Sequence, residues 1–254
     1  QIKARVALTA CAIAPFAFAA ALLVQSALPE DTLFGRSVKE SGFALPLVVL
    51  GFAALWVLPV LTSIVGGDTF ASEDRYGTWK TVLTRSRSRS EVFFGKVTAA
   101  LGFSSLAVIV LGVSSLAAGV LVIGPRPLIS LSGSLLTPSS ALIRVALAWV
   151  SVLPPVLGLT AFALLLSVAT KSSAAGIGLP VVIAMAMQLV ALMDGPEIAH
   201  RLLITSAFGA WRGLLAEPPY YRPIVHGTIV SGVYFAVCLL AGYRVLQRRD
   251  IAGA

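Results

Sequence analysis

Apolar residues in this chain do not alternate with polar ones; they gather in long blocks. Six blocks are long enough to cross a bilayer as helices, at about 20 largely apolar residues each. They cover residues 6–28, 43–65, 97–123, 142–169, 174–193 and 224–243. In hydrocarbon a helix satisfies its own backbone hydrogen bonds, so this pattern predicts an all-α polytopic membrane protein with six transmembrane helices. Pro154 and Pro155 predict a kink or break in the fourth span, and Gly176, Gly178 and Pro180 predict an irregular start to the fifth. No short internal repeat and no low-complexity tail divides the 254 residues, which read as a single transmembrane domain, 1–254.

Composition sharpens this. Hydrophobic residues make up 57% and charged ones 12%, against about 25% charged in an ordinary soluble domain. Mean hydropathy is +0.93. These values exclude a disordered chain and a soluble enzyme. The first apolar block is too long for the core of a signal peptide. The chain starts at Gln1 rather than Met, so a few preceding residues are expected. Cys11 and Cys238 both lie in apolar blocks and read as small packing residues, not as a disulfide or metal pair.

The net charge of +8 becomes informative once it is divided between the two sides. With six spans both termini share one side. That side carries 12 of the 19 basic residues and the other side 7, while the acids divide 5 and 6. The positive-inside rule makes the richer side, and both termini, cytoplasmic. The basicity is then an orientation signal and not a nucleic-acid footprint.

No span carries an ionisable group in its middle, and Arg144 sits at the outer end of the fourth. Proton relays, voltage sensors and ion-coupled carriers rely on such groups. Intramembrane enzymes need nucleophiles, carboxylates or metal ligands, so no catalytic, metal or cofactor residue is expected. His200 and His226 lie at the last outer loop without a ligand cluster. Any energy for transport would come from another polypeptide. The mild polar residues at depth are Ser104, Ser105, Ser114, Ser115, Ser151, Thr160 and Gln188. They suit close helix packing, with Gln188 and Ser151 the candidates for contact with a transported substrate.

The segment 66–96, GGDTFASEDRYGTWKTVLTRSRSRSEVFFGK, holds 10 of the 30 charged residues. Tyr76, Trp79 and Leu83 recur at helical spacing and would give a short helix one apolar face. Ser88 followed by Glu91 forms a capping-box pattern for a helix starting near Arg89 that runs into the third span. Arg89 and Lys96 would share a face of that helix at the level of lipid phosphates. Two readings fit: an interfacial loop on anionic headgroups, or an amphipathic element docked in a groove of a soluble partner.

This segment resembles the membrane subunits of ABC-2-type transporters, the type V ABC exporters. That family carries approximately F-A-x-E-x-x-x-G-T after its second span, then T-R-P-x-S-R, then G-K opening the third. The matching residues are Phe70, Ala71, Glu73, Gly77, Thr78, Thr84, Arg85, Ser88, Arg89, Gly95 and Lys96. Ser86 replaces the usual proline, and Trp79 stands where the family usually has leucine. The resemblance implies a dimeric permease in the cell membrane of a bacterium. It would pair with a second permease subunit, the same or homologous, and with two cytoplasmic ATPase subunits holding ATP and Mg. No G-x-x-x-x-G-K-[ST] sequence occurs here, so the chain has no nucleotide site of its own. The resemblance makes the 66–96 loop the coupling element that docks on the ATPase, with Phe70, Glu73, Tyr76, Gly77, Thr78, Trp79, Leu83, Arg85 and Arg89 as docking residues.

In the last outer loop Ile204, Phe208, Trp211 and Leu215 recur at amphipathic helical spacing before Pro218, Pro219, Tyr220 and Tyr221. The residues alone give an interfacial helix. The resemblance implies an extracytoplasmic re-entrant region, 194–223, capping the exit, with Phe208 and Trp211 on the substrate pathway. The loop 124–141 is rich in Pro, Ser and Gly and carries no functional signal. The expected function is the permease half of an ATP-driven exporter. Its uncharged spans suit a lipophilic or amphipathic substrate, drug or lipid-like. Export of a polysaccharide, lipid-linked glycan or ion by the same machinery, and a non-transporting anchor that signals through an ATPase, are the alternatives.

Overall fold

The computed structural model describes residues 2–24, 34–79, 88–193 and 197–248. Leu83 and Arg85 lie outside the described residues. Helix α1 covers Ile2–Val24; α2 covers Ala44–Phe52 and passes through a π-helical turn, Ala53–Val57, into α3, Leu58–Tyr76. Helix α4 covers Arg89–Val122 and leads to a small hairpin of β1, Leu128–Ile129, and β2, Leu135–Leu136. Helices α5, Pro138–Ser151, and α6, Leu153–Thr170, follow, then α7, Ser173–Leu192, and α8, Glu197–Leu202. A 3-10 helix, Ile204–Leu215, precedes α9, Arg222–Arg248. Six helical stretches are long and apolar enough to span a membrane: Ala4–Val24, Ala44–Tyr76, Arg89–Val122, Pro138–Thr170, Ser173–Ala191 and Arg222–Arg248. The protein is an all-α, multi-pass membrane protein.

Local signals account for the helix ends. Thr137 caps α5, its hydroxyl accepting from Ser140 N–H at 3.4 Å, with Pro138 at the first helical position. Ser88 and Glu91 form the capping box of α4 reciprocally, Ser88 N–H donating to Glu91 Oε2 at 3.0 Å and Glu91 N–H to Ser88 Oγ at 3.2 Å. The fourth span breaks at Val152, two residues ahead of Pro154, because proline crowds the backbone before it. The fifth span does not start irregularly. Ser172 caps it by accepting from Ala175 N–H at 3.4 Å, and the helix continues through Pro180.

The residues group into two compact units. The first holds residues 1–57, 106–153 and 208–226; the second holds 58–105, 154–207 and 227–254. Within the first unit the backbones of Gly42 and Gly119 meet so closely that a Cβ on Gly42 would lie 2.3 Å from the Gly119 carbonyl oxygen. Ser114 donates to the Ala12 carbonyl at 2.5 Å, tying α4 to α1. Within the second unit Gly67 of α3 meets Gly176 of α7 in the same manner, a Cβ on Gly67 falling 2.2 Å from the Gly176 carbonyl oxygen. Small residues at helix contacts are the usual device where lipid supplies no hydrophobic drive between helices. Thr160 and Ser104 add a buried hydroxyl bond of 2.9 Å between α6 and α4.

Candidate functional site

The described residues singled out in segment 66–96 lie within the second unit, where α3 ends and α4 begins. Most of the segment is helical rather than loop: α3 continues to Tyr76, and α4 starts at Arg89. Gly77 ends α3 in the left-handed conformation, φ +62°. Thr78 N–H donates to Glu73 O at 3.0 Å and Gly77 N–H to Asp74 O at 3.3 Å, the paired bonds of a Schellman turn. A side chain at Gly77 would be strained there although no atom lies within 4 Å.

This turn corrects the single apolar face expected of Tyr76 and Trp79. Tyr76 closes α3 and is 69% exposed, against 6% for Trp79. The left-handed residue between them reverses the chain, so helical spacing does not apply across it. The Trp79 indole N–H donates to Asp74 Oδ1 at 3.0 Å, and its ring stacks on Phe70 at 6.4 Å between centroids. Phe70 stacks in turn on Phe93 at 5.6 Å, and Phe93 meets Tyr243 edge-on at 5.4 Å. Val97, Ala100, Leu164, Val168 and Leu246 complete this buried cluster.

A polar bracket runs beside the aromatic file. Lys96 Nζ donates to Glu73 Oε1 at 2.8 Å and to the Thr69 carbonyl at 2.7 Å, and lies 5.6 Å from the centre of the Phe70 ring. The Thr78 hydroxyl donates to Glu73 Oε2. Glu73 therefore binds both the turn that follows α3 and the first turns of α4. Lys96 is paired with this carboxylate. Arg89 donates to the Gln247 carbonyl at 3.0 Å, joining α4 to the end of α9.

Sequence reasoning left Ser167, Asp74 and Phe93 off the list. Ser167 Oγ accepts from both Phe70 and Ala71 N–H at 3.0 Å, fixing α6 to α3. Its partners lie almost a hundred positions away, so no local pattern announces it. Phe93 carries a signal in the apolar positions just after the capping box.

The expected pathway residues divide between the units. Phe208 and Trp211 are buried in the first unit and lie on one file of a 3-10 helix, where i and i+3 eclipse. The α-helical spacing expected of Ile204 through Leu215 is thus replaced by a three-residue period through Phe208, Trp211 and Leu214. Ser151 is half-buried in the same unit and donates to its own helix at Ala148 O, 2.8 Å. Gln188 lies half-buried on α7 in the second unit. Beyond the 3-10 helix, Arg144 donates to the Leu214 and Ala216 carbonyls at 3.3 and 3.0 Å and pairs with Glu217 at 3.2 Å. A hydrogen bond from the Ser134 hydroxyl, aided against partial desolvation by the Arg144 charge, holds the Glu217 carboxyl below the usual glutamate range. Among the described residues no three His, Cys, Asp or Glu side chains are grouped as metal ligands.

Fold and bracket together define a polytopic α-helical membrane protein in which the end of α3 and the start of α4 are tied by an aromatic file and an ion pair. The chain belongs to the family described as Protein of unknown function (DUF2705), which matches residues 12–252. No curated protein matches it.

Proposed function

We infer that the chain is the membrane-spanning permease subunit of an ATP-driven ABC exporter. It sits in the bacterial cell membrane with both termini in the cytoplasm and is powered by a separate ATPase. The observation that carries this reading is the junction itself. Phe70, Glu73, Gly77, Thr78 and Lys96, the residues of the ABC-2-like motif, are the ones that build the aromatic file, the Schellman turn and the ion bracket. A coupling element needs an exposed tip and a rigid connection to the spans. Arg75, Tyr76 and Gly77 provide the exposed tip, with Arg75 stacked 5.4 Å over the Tyr76 ring. The Phe70–Trp79–Phe93 file and the Glu73–Lys96 pair provide the rigid connection to α3 and α4.

Closure of the two ATPase subunits on ATP pushes on this tip, and the bracket passes the displacement to α3 and α4 as one body. ATP favours the conformation in which the ATPase subunits are closed, and only that difference in affinity between states shifts the permease. A second permease subunit completes the pathway. Spans without ionisable groups at mid-depth suit a lipophilic or amphipathic cargo, drug or lipid-like, entering from the cytoplasm or inner leaflet. The test is hydrolysis by the complex reconstituted in vesicles with its ATPase. Amphiphiles are expected to raise the ATPase rate in a saturable manner, and indifference to every amphiphile class would overturn the substrate assignment.

A further inference from the structure

We propose that the β1–β2 hairpin is a membrane anchor, inserted in the headgroup–acyl boundary of the bilayer through Ile129, Leu131 and Leu135. This rests on the multi-pass membrane reading alone and is independent of cargo or ATPase.

The hairpin is apolar on both faces. Leu128 pairs with Leu136 and both are buried, so that face packs into the protein. Ile129 pairs with Leu135 on the other face, where Leu135 is 72% exposed. An antiparallel pair with one face in water shows polar side chains outward; this one presents isoleucine and leucine, with exposed Leu131 in the turn.

The turn's N–H groups are bonded from within the protein, which lowers the cost of entering a water-poor layer. Ser130 N–H donates to Ser134 O at 2.8 Å, and Gly133 N–H, in the left-handed conformation, to Ser130 O at 3.1 Å. Ser132 and Ser134 N–H both reach Ser130 Oγ, at 3.2 and 3.1 Å. Leu131 N–H donates to Leu215 O at 2.9 Å, and Ser132 Oγ accepts from Glu217 N–H at 2.9 Å. Ile129, Leu131 and Leu135 supply the apolar side chains exposed on the hairpin.

Its depth also fits. From Lys96 to Val122 helix α4 rises ~39 Å, close to the full thickness of a bilayer with its headgroups. The hairpin begins six residues beyond the end of α4, a helix long and apolar enough to cross the bilayer. Next to the hairpin's anchor point, exposed Tyr220 and Tyr221 mark the same level as an aromatic belt. In α9, Val225, Ile229, Val233, Val237 and Leu240 are exposed, and exposed Arg244 follows them. Exposed Arg126 and Arg222 reach from this level toward lipid phosphates.

The experiment uses the full chain with Cys11→Ala and Cys238→Ala, in vesicles of phosphatidylcholine and phosphatidylglycerol. Leu135→Cys and Leu131→Cys are spin-labelled separately, so that one misfolded variant leaves the other. Collision with lipid-soluble oxygen is compared with collision with water-soluble nickel chelate. The anchor gives an oxygen-to-nickel ratio above one at both positions. A ratio below one, meaning water, or low collision with both reagents, meaning a protein partner, would overturn it.

Discussion

Tyr76 and Trp79 stand three positions apart and do unrelated work. Trp79 closes the aromatic file, so Trp79→Ala removes a buried ring and is expected to cost about 3–5 kcal/mol of stability, read by thermal or denaturant unfolding in detergent. Tyr76→Ala, at an exposed site, should leave stability within about 0.5 kcal/mol while weakening capture of the ATPase. If Tyr76→Ala left capture intact and only Trp79→Ala reduced it, Tyr76 would not belong to the docking tip. Replacing Ser167 by alanine removes a shared acceptor from two amides that lie within α3, and should cost about 0.5–1.5 kcal/mol. At this scale the sequence was legible where the signal is local. The Ser88–Glu91 capping box reads directly from spacing. The separation of Tyr76 from Trp79 does not, because one left-handed residue, Gly77, cancels the helical period that relates them.

The closest helix crossing in the second unit, α3 on α7, depends on the absence of a side chain at two positions. Gly67→Ala places its Cβ against the backbone of Gly176, which cannot yield as a flexible side chain would. The expected loss is about 1–3 kcal/mol or more. Gly178→Ala, on the same α7 with open space around it, is the control and should be tolerated. Comparable unfolding midpoints for the two variants would show that the crossing is not limiting. The Arg144–Glu217 tie between α5 and the end of the 3-10 helix carries a pH signature. The Glu217 carboxyl is held below its ordinary value of 4.5, so its contribution is full above that value. It is lost as pH falls through the lowered folded-state value. Exchange protection of the Leu131 and Glu217 amides should therefore fall below pH 4.5, and Glu217→Gln should flatten that dependence. Elements of this kind were poorly legible. Two-residue strands carry too few residues for a period, the 3-10 helix carries an apolar spacing that reads equally as an α-helix, and the serine-rich loop 124–141 looked featureless because part of its order comes from bonds to residues some 80 positions away.

At the scale of the molecule the six spans were legible almost throughout, since each is a block of apolar residues and needs no partner to be recognised. The helices outrun those blocks at several ends: α3 carries Asp68, Glu73 and Asp74, and α4 begins at Arg89. Polar residues there continue a helix that apolar counting ends too soon. The division into two units was not legible, because it follows from contacts between residues far apart in sequence. As the permease half of an exporter, the chain draws its energy from a separate polypeptide under the proposed function. The direct measurement is co-purification of the tagged chain with an untagged Walker-containing ATPase expressed beside it. A stoichiometric complex with one ATPase per permease is expected, lost or weakened on Glu73→Ala as the bracket opens. Recovery of the chain alone with every such ATPase tested, or a complex indifferent to both Glu73→Ala and Tyr76→Ala, would contradict it.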